Sequence, residues 1–458
     1  MVERAVEALG NNARCLFFTG EEARGETPLQ KKIRVVPNLG YSTEKKFQGL
    51  ELLRRARGAF GGEPDVWHIH NHCLGKNPAL TQEVTTLAMA GQKILLQIHD
   101  FAEDGRPDNY ANLRLPSEAS AKEGQLKSRL YPIAPHIHYA ALNNRDFGFL
   151  KAAGIPEECL HLLPNSVSQL PQAEDRGQKA EDSTPLFVYP CRAIRRKNIG
   201  ELLLWSAAMP EAKFAVTLAP KNPEVKPVYD AWVAFAEELG LNVEFDAGAS
   251  TPFHEMIAKA DALITTSIAE GFGLAFLEPW LAGKPLVGRN LPEITSDFEG
   301  HGLDLSTLYN RLGVPLTSNV WNIGAEFFQT LEKKMRASFE AYGREWCSEV
   351  FEEAQAKLVQ DGSVDFGILD EELQRTIIRA VKEDPSIFGD SLGDASSVAV
   401  ENNRAVVQTA YCPKAYGEHL FSIYQKLNDA KPGTVGYADG NVLLDAFLAP
   451  ERFNLLRT

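Results

Sequence analysis

The sequence predicts an α/β protein with two doubly wound units and a mainly helical C-terminal region, and three observations carry this. Short apolar runs alternate with longer amphipathic stretches through the first 300 residues. The polar stretch SQLPQAEDRGQKAEDSTP (168–185) divides those runs into two series. From residue 301 the alternation stops and helical patterns follow one another. Runs that are β-rich and apolar almost throughout suit strands buried on both faces, and strands alternating with helices build parallel sheets.

Taken in order, the chain opens with VERAVEAL (2–9), a helical pattern. The first series of strands is RCLFFT (14–19), IRVV (33–36), VWHIH (66–70), KILLQIH (93–99), HYAALN (138–143) and LHLL (160–163). The second is LFVYPC (186–191), FAVTLA (214–219), NVEF (242–245), ALITTS (262–267) and PLVG (285–288). Between them lie helical patterns such as LELLRRARGAF and DAWVAFAEELG, the latter stopped by Gly240. The expected division is a first Rossmann-like domain over 1–167, a linker at 168–185, and a second domain over 186–410 with a helical insertion from about 301. Two such domains in tandem leave a cleft between the carboxyl ends of their strands, where doubly wound sheets bind ligands. Segments 322–359 and 367–382 read as amphipathic helices with no strand between them, 384–403 as a loop, and 416–427 as a final helix.

Composition narrows the function classes. The 458 residues are 44% hydrophobic and 24% charged, which excludes disorder throughout, a collagen-like fibre and a disulfide mini-scaffold. A net charge of −14 argues against binding nucleic acid or an anionic bilayer by bulk charge. Cys15, Cys73, Cys159, Cys191, Cys347 and Cys412 are scattered without a C-x-x-C pair, as in reduced intracellular chains. The charged N-terminus holds no apolar signal core, and no run approaches the ~18–20 apolar residues of a membrane span. The expectation is a cytoplasmic protein; peripheral membrane contact is left open.

The most informative stretch is ALITTSIAEGFGLAFLEPWLAGKPLVG (262–288). A buried strand leads into Glu270-Gly271-Phe272-Gly273, a turn whose glycines admit a ligand close to the backbone. A helix is expected from Leu274 to Ala282, stopped by Gly283, and its first N–H groups suit a phosphate. Glu278, one turn in, can accept two hydrogen bonds from a ribose diol. In LFVYPCRAIRRKNIGELLL (186–204), a strand ends at Arg192 and a helix follows Arg195, Arg196 and Lys197, four cations within six residues that suit a diphosphate. Acidic residues at a helix start and basic residues on a helix face are also ordinary solvated features.

The first domain carries Asp65-Val66-Trp67-His68-Ile69-His70-Asn71-His72. Histidines at 68, 70 and 72 share one face if the strand continues, which invites a metal reading. No acidic or thiolate ligand has suitable spacing, and Asn71 marks a strand end, so no metal site is expected. KILLQIHDFAEDGRPDNY (93–110) ends a strand in His99-Asp100 and continues into an acidic loop that suits a polar acceptor or plain solvation.

Glu270 and Glu278 form an E-x7-E element, and the whole block around them resembles the signature of glycosyltransferase family 4, retaining enzymes of GT-B architecture. Arg192 and Lys197 match that family's R-x4-K pair, and Leu163-Pro164-Asn165-Ser166-Val167 resembles the end of its first domain. The match covers roughly residues 2–300 and the last helix. The resemblance implies a retaining, metal-independent glycosyltransferase that takes a hexosyl group from a UDP-, GDP- or ADP-sugar, with no other cofactor, to a hydroxyl acceptor. Arg192 and Lys197 would clamp the diphosphate, with the amides of Phe272, Gly273 and Leu274. Glu278 would hold the ribose, Glu270 the donor sugar, and His99 would lie beside the reaction centre. His70, Asn71 and Asp100 would line the acceptor side. The final segment, 411–458, would return to the first domain. A sugar phosphorylase, a nucleotide-sugar epimerase and a non-catalytic nucleotide-sugar-binding protein are the rival readings. The family begins with a strand and a Gly-Gly loop, neither of which precedes VERAVEAL here. The resemblance therefore implies a reading frame that continues upstream with a short apolar strand and a Gly-Gly pair.

Overall fold

A computed structural model describes residues 2–22, 29–44, 46–113, 129–168, 184–389, 391–393 and 396–457. Most of the expected linker, 169–183, lies outside the described residues. The chain is α/β and divides into two compact units, one of residues 1–166, 338–344 and 411–449, the other of 167–337, 345–410 and 450–458.

Among the described residues of the first unit, the strands of its parallel sheets are β1 (Phe17–Thr19), β2 (Ile33–Val35), β3 (Trp67–His70), β4 (Ile94–Ile98), β5 (Ile137–Ala141) and β6 (Leu160–Leu162). β3, β4, β5 and β6 form one parallel sheet in that order, and β1 pairs with β2 in a separate parallel ribbon. β4 and β5 are buried along their whole length, as their unbroken apolar runs require. Strand periodicity splits their side chains between two cores. Leu95 and Ala140 pack with Ala5 and Leu9 of the helix Val2–Leu9 and with Leu420 of the helix Pro413–Asp429. Ile94 and Leu96 face the opposite core, with Leu52, Leu53 and Ala56 of the helix Glu51–Phe60.

In the second unit the strands of the main sheet are β7 (Leu186–Arg192), β8 (Lys213–Leu218), β9 (Val243–Glu244), β10 (Ala262–Thr265), β11 (Leu286–Arg289) and β12 (Leu308–Tyr309). They form one parallel sheet in the order β9-β8-β7-β10-β11-β12. Numbered from β7, this is 3-2-1-4-5-6, the doubly wound order with its switch point between β7 and β10. All eleven expected strands are present, ending within a few residues of their apolar runs.

Three expectations need correction. The stretch 322–359 breaks at Gly343, φ +66°, into the helices Gly324–Ala341 and Ser348–Leu358. Ser363–Asp365, between the expected helices, is a strand paired antiparallel with Gly313–Pro315; three residues are too few to show a period. The expected loop at 384–403 gives way to the helix Ser397–Ala410, where Val400 and Val407 are buried. Among the described residues no helix is long and apolar enough to cross a membrane.

Candidate functional site

The carboxyl ends of β7 and β10 stand side by side at the centre of the second sheet, and the segments that follow them carry the sequence-expected residues. After β7 comes the short turn Arg195–Lys197, closed by Asn198 in the left-handed region at φ +47°. After β10 come Ser267, Glu270 and the glycine turn. The two segments are stitched together. Ile268 N–H donates to the Arg196 carbonyl at 2.9 Å, and the Thr266 hydroxyl donates to the Lys197 carbonyl at 3.0 Å. Behind them Asn198 donates to Glu201 at 2.7 Å. Glu201 and Asp365 both bind buried Arg289, at 2.7 and 2.6 Å. This ion network fixes the start of the helix Ile199–Ala208 under the site.

Glu270 is the hub. Its carboxylate accepts from the Lys197 ammonium, from Arg196 Nη1 at 3.0 Å and from the Ser267 hydroxyl at 2.7 Å. Burial alone would raise its pKa; the cations Lys197 and Arg196 outweigh that and hold it below the ordinary carboxylate value. Glu270 is therefore a buried anion at neutral pH, only 9% exposed. Lys197 and Glu270, expected to meet different parts of one ligand, here meet each other. Arg192 goes elsewhere: a register shift in β7 turns its Nη1 to the Ala219 carbonyl at 2.8 Å, past the end of β8. Arg195 is held by Glu371 through two bonds of 2.8 and 2.9 Å.

The glycine turn differs from the expected continuous helix. Leu274–Phe276 is a single 3-10 turn, and Glu278 is the first residue of a four-residue helix, Glu278–Leu281. So short a helix carries little macrodipole, and any anion here must rely on individual amides and cations. Gly273 has φ +93°, and a Cβ there would lie 2.9 Å from Phe276 and 3.1 Å from Ile294. The position requires glycine on both counts. Phe272 and Gly273 are buried, whereas Leu274 and Glu278 are half-buried.

The first unit gathers the histidines differently from a 68–70–72 face. β3 ends at His70, and Asn71 turns the chain at φ +53°. His72 points into the core, 3.0 Å from the Leu130 carbonyl. His99, from the end of β4, takes its place: His70 Nδ1 and His99 Nε2 lie 2.8 Å apart. His68 stacks on His70 with ring centroids 4.3 Å apart and is held between Tyr424 at 2.8 Å and Gln97 at 2.9 Å. Asn71 Oδ1 caps the turn after β4 by accepting from the N–H groups of His99 and Asp100 at 2.7 and 3.2 Å. Asp100 in turn pairs with Arg106 at 2.6 Å. Burial lowers His68 and His99 to about 4 and holds His70 well below its usual range. Three neutral imidazoles can relay or share protons but offer no fixed charge.

His70, Asn71, His99 and Asp100 are thus brought together in one unit, and Lys197 and Glu270 in the other. Sequence reasoning gave no role to Ser267, Tyr424 or Gln97, and Arg196 was equally readable as a solvated residue. Ser267 lies three residues before Glu270 at the same strand end; that proximity was the available signal. Tyr424 is 356 residues from His68, and nothing local links them.

No family model matches the chain. It is 28% identical over 329 residues to mannosylglucosyl-3-phosphoglycerate synthase of Petrotoga mobilis (strain DSM 10674 / SJ95), covering 66% of this chain and 63% of that protein's length. Solved structures that align with it include Anabaena Alr3699/HepE in complex with UDP and glucose, at 13% identity and a TM-score of 0.43 over 85% of each chain. The lipopolysaccharide outer core galactosyltransferase WaaB, apo form, aligns at 17% identity and a TM-score of 0.39, over 62% of this chain and 74% of that one.

Proposed function

We propose that the chain is a retaining GT-B glycosyltransferase that moves a hexosyl group from a nucleotide-diphosphate sugar to a hydroxyl acceptor. One observation carries this reading: Arg192 ends, and Lys197 and Glu270 follow, the two strands that flank the switch point of the second sheet. A doubly wound sheet takes its ligand at that point. The likeness to a synthase of mannosylglucosyl-3-phosphoglycerate supports sugar transfer and puts phosphoglycerate-bearing acceptors first in an assay.

In this reading Lys197 and Arg192 neutralise the departing diphosphate, aided by the amides of Gly273 and Leu274, and Glu278 takes the ribose. Charge that develops on the leaving phosphate is met by these cations once they turn to it from their present partners, Glu270 for Lys197 and the Ala219 carbonyl for Arg192. A phosphate reaching Lys197 competes with Glu270 for the ammonium. Donor binding therefore frees part of the Glu270 carboxylate for the sugar hydroxyls, while Arg196 and Ser267 keep it in position. The acceptor attacks from the face that the diphosphate leaves. His70, Asn71 and Asp100 serve the acceptor side, and His99 the reaction centre.

Titration calorimetry of Arg192→Ala and Lys197→Ala tests the assignment. A charge-assisted phosphate bond is worth about 1.5–3 kcal/mol, so each variant weakens nucleoside-diphosphate binding about 10- to 100-fold and leaves nucleoside binding nearly unchanged. Equal losses for both ligands would remove the clamp. Sugar-phosphate release that needs inorganic phosphate, or epimer formation without acceptor, would replace transfer with phosphorolysis or epimerisation.

A further inference from the structure

Region 345–410 belongs to the second unit and reaches both segments that carry the candidate donor residues. Its helix Glu371–Glu383 starts at Asp370, whose side chain accepts from the Leu373 N–H at 3.1 Å. Leu373, Ile377, Ile378 and Val381 form a buried apolar stripe, and Gln374 lies within it, fully buried. Gln374 Nε2 donates to Asn198 Oδ1 at 2.9 Å, while its Oε1 has no partner among the described residues. A buried amide with one end unmet costs stability, and an apolar side chain would be cheaper at this position. What the amide contributes is the grip on Asn198. Gly200 makes room for it: a Cβ there would collide with Gln374 Oε1 and lie 2.9 Å from Trp232.

Asn198 closes the turn Arg195–Lys197 in the left-handed region, which a residue with a Cβ keeps only where its surroundings impose it. Gln374 holds its Oδ1 and Glu201 its Nδ2, and the carbonyls of Lys197 and Asn198 both accept from the Thr266 hydroxyl. Glu371, three residues before Gln374 and so on the same helix face, holds Arg195 at the other end of the turn. The backbone of Lys197 is thus fixed while its ammonium stays able to exchange Glu270 for another anion.

The second segment is held from the same region. In the helix Ser397–Ala410, Arg404 passes over Gly283, where a Cβ would lie 2.5 Å from Nη2. Arg404 Nε donates to the Trp280 carbonyl at 3.3 Å. Trp280 belongs to the four-residue helix that Glu278 begins. So short a helix does not keep its own shape, and Arg404 supplies a donor at its C-terminal end.

We propose that region 345–410 is the positioning element of the donor site: Gln374 sets Lys197 for the diphosphate, and Arg404 sets Glu278 for the ribose. The inference rests on the donor reading above and adds to it the residues that hold the site in shape. Each acts through another residue, and the two act on different parts of one ligand.

Titration calorimetry of UDP, GDP and ADP, each against its own nucleoside, in the full chain, in Gln374→Met and in Arg404→Met separates positioning from stability. Gln374→Met is expected to lower diphosphate affinity about tenfold and to leave nucleoside affinity within about twofold, because a displaced cation costs only the phosphate contact. Arg404→Met is expected to lower both affinities by the same factor, about fivefold, because the ribose is common to both ligands. A lowered melting temperature with both affinities kept, or one pattern shared by the two variants, would make the region a scaffold alone and overturn the proposal. Should Gln374→Met fail to fold, half-buried Glu371→Gln is expected to lower diphosphate affinity alone, about threefold, and an unchanged affinity there overturns the proposal. An unaltered chain that prefers no diphosphate over its nucleoside removes the donor reading itself. A preference present in that chain and untouched in every variant removes only the positioning role.

Discussion

Replacing Lys197 by Met removes one of the three groups that hold the Glu270 carboxylate, and the structure sets the scale of the loss. Glu270 is 9% exposed, the Lys197 side chain 13% and Arg196 38%. Stranding a buried charge by removing its partner costs about 3–5 kcal/mol. Here Arg196 at 3.0 Å and Ser267 at 2.7 Å remain, so the expected cost falls below that range, at about 2–3 kcal/mol. Glu270→Gln removes the anion and is milder, about 1–2 kcal/mol, because Gln still accepts from Ser267 and Lys197 retains some access to water. In the double variant the stranded charge is gone. The two costs should then fail to add, with a coupling of about 1–3 kcal/mol. Hydrogen exchange at β10, which runs into this loop, reads the stability of the second unit directly. Costs that add to within about 0.5 kcal/mol would refute the pairing. The same cycle separates roles in binding. If Lys197 also serves phosphate, Lys197→Met still lowers nucleoside-diphosphate affinity in the Glu270→Gln background.

Gly273→Ala forces a Cβ into a backbone at φ +93° and to within 2.9 Å of Phe276; a loss of about 1–3 kcal/mol is expected in urea unfolding, and a neutral result would contradict the turn geometry. His68, His72 and His99 sit at about 4 in the folded chain against 6.5 for a free imidazole, chiefly through burial. The folded state disfavours their protonation. The first unit should thus lose stability as pH falls from 6.5 toward 4 and gain nothing from them above 6.5. Glu103 acts oppositely: burial raises it to about 7, so its contribution is present below pH 4.5 and lost as pH rises toward 7. Glu103→Gln should remove that opposing slope; unchanged pH-dependent unfolding between 4.5 and 7 would show that Glu103 does not titrate there. Glu270→Gln should lower turnover more than donor affinity and Glu278→Gln the reverse, with a chelator leaving activity intact; steady-state kinetics with the opposite pattern would exchange the two roles.

The parallel sheets were legible because β4, β5 and β10 are buried along their whole length, and a continuous apolar run is the direct trace of that burial. The candidate site was legible where it is local: Glu270, Gly273 and Glu278 lie within nine residues, and Arg192 to Lys197 within six. Pairings over long distances left no trace. The Arg196–Glu270 contact joins residues 74 apart, and nothing near Arg196 separates it from an ordinary solvated arginine. The extent of the helix after Gly273 was misjudged because Leu274–Leu281 has helical composition, whereas Pro279 and the packing of Phe276 and Trp280 divide it into a 3-10 turn and one α turn. His99 replaces His72 beside His70 because a positive φ at Asn71 ends the strand alternation, and only the sense of that break could be read from an Asn.

The claim that most needs testing is that the switch point of the second sheet binds a nucleoside diphosphate. Titrating UDP, GDP and ADP, each against its own nucleoside, into the full chain and into Arg192→Ala tests it most directly. At least one diphosphate is expected to bind about 100-fold or more tightly than its nucleoside, and Arg192→Ala to remove most of that difference. Diphosphates that bind no better than their nucleosides, or a preference that Arg192→Ala leaves intact, would contradict it.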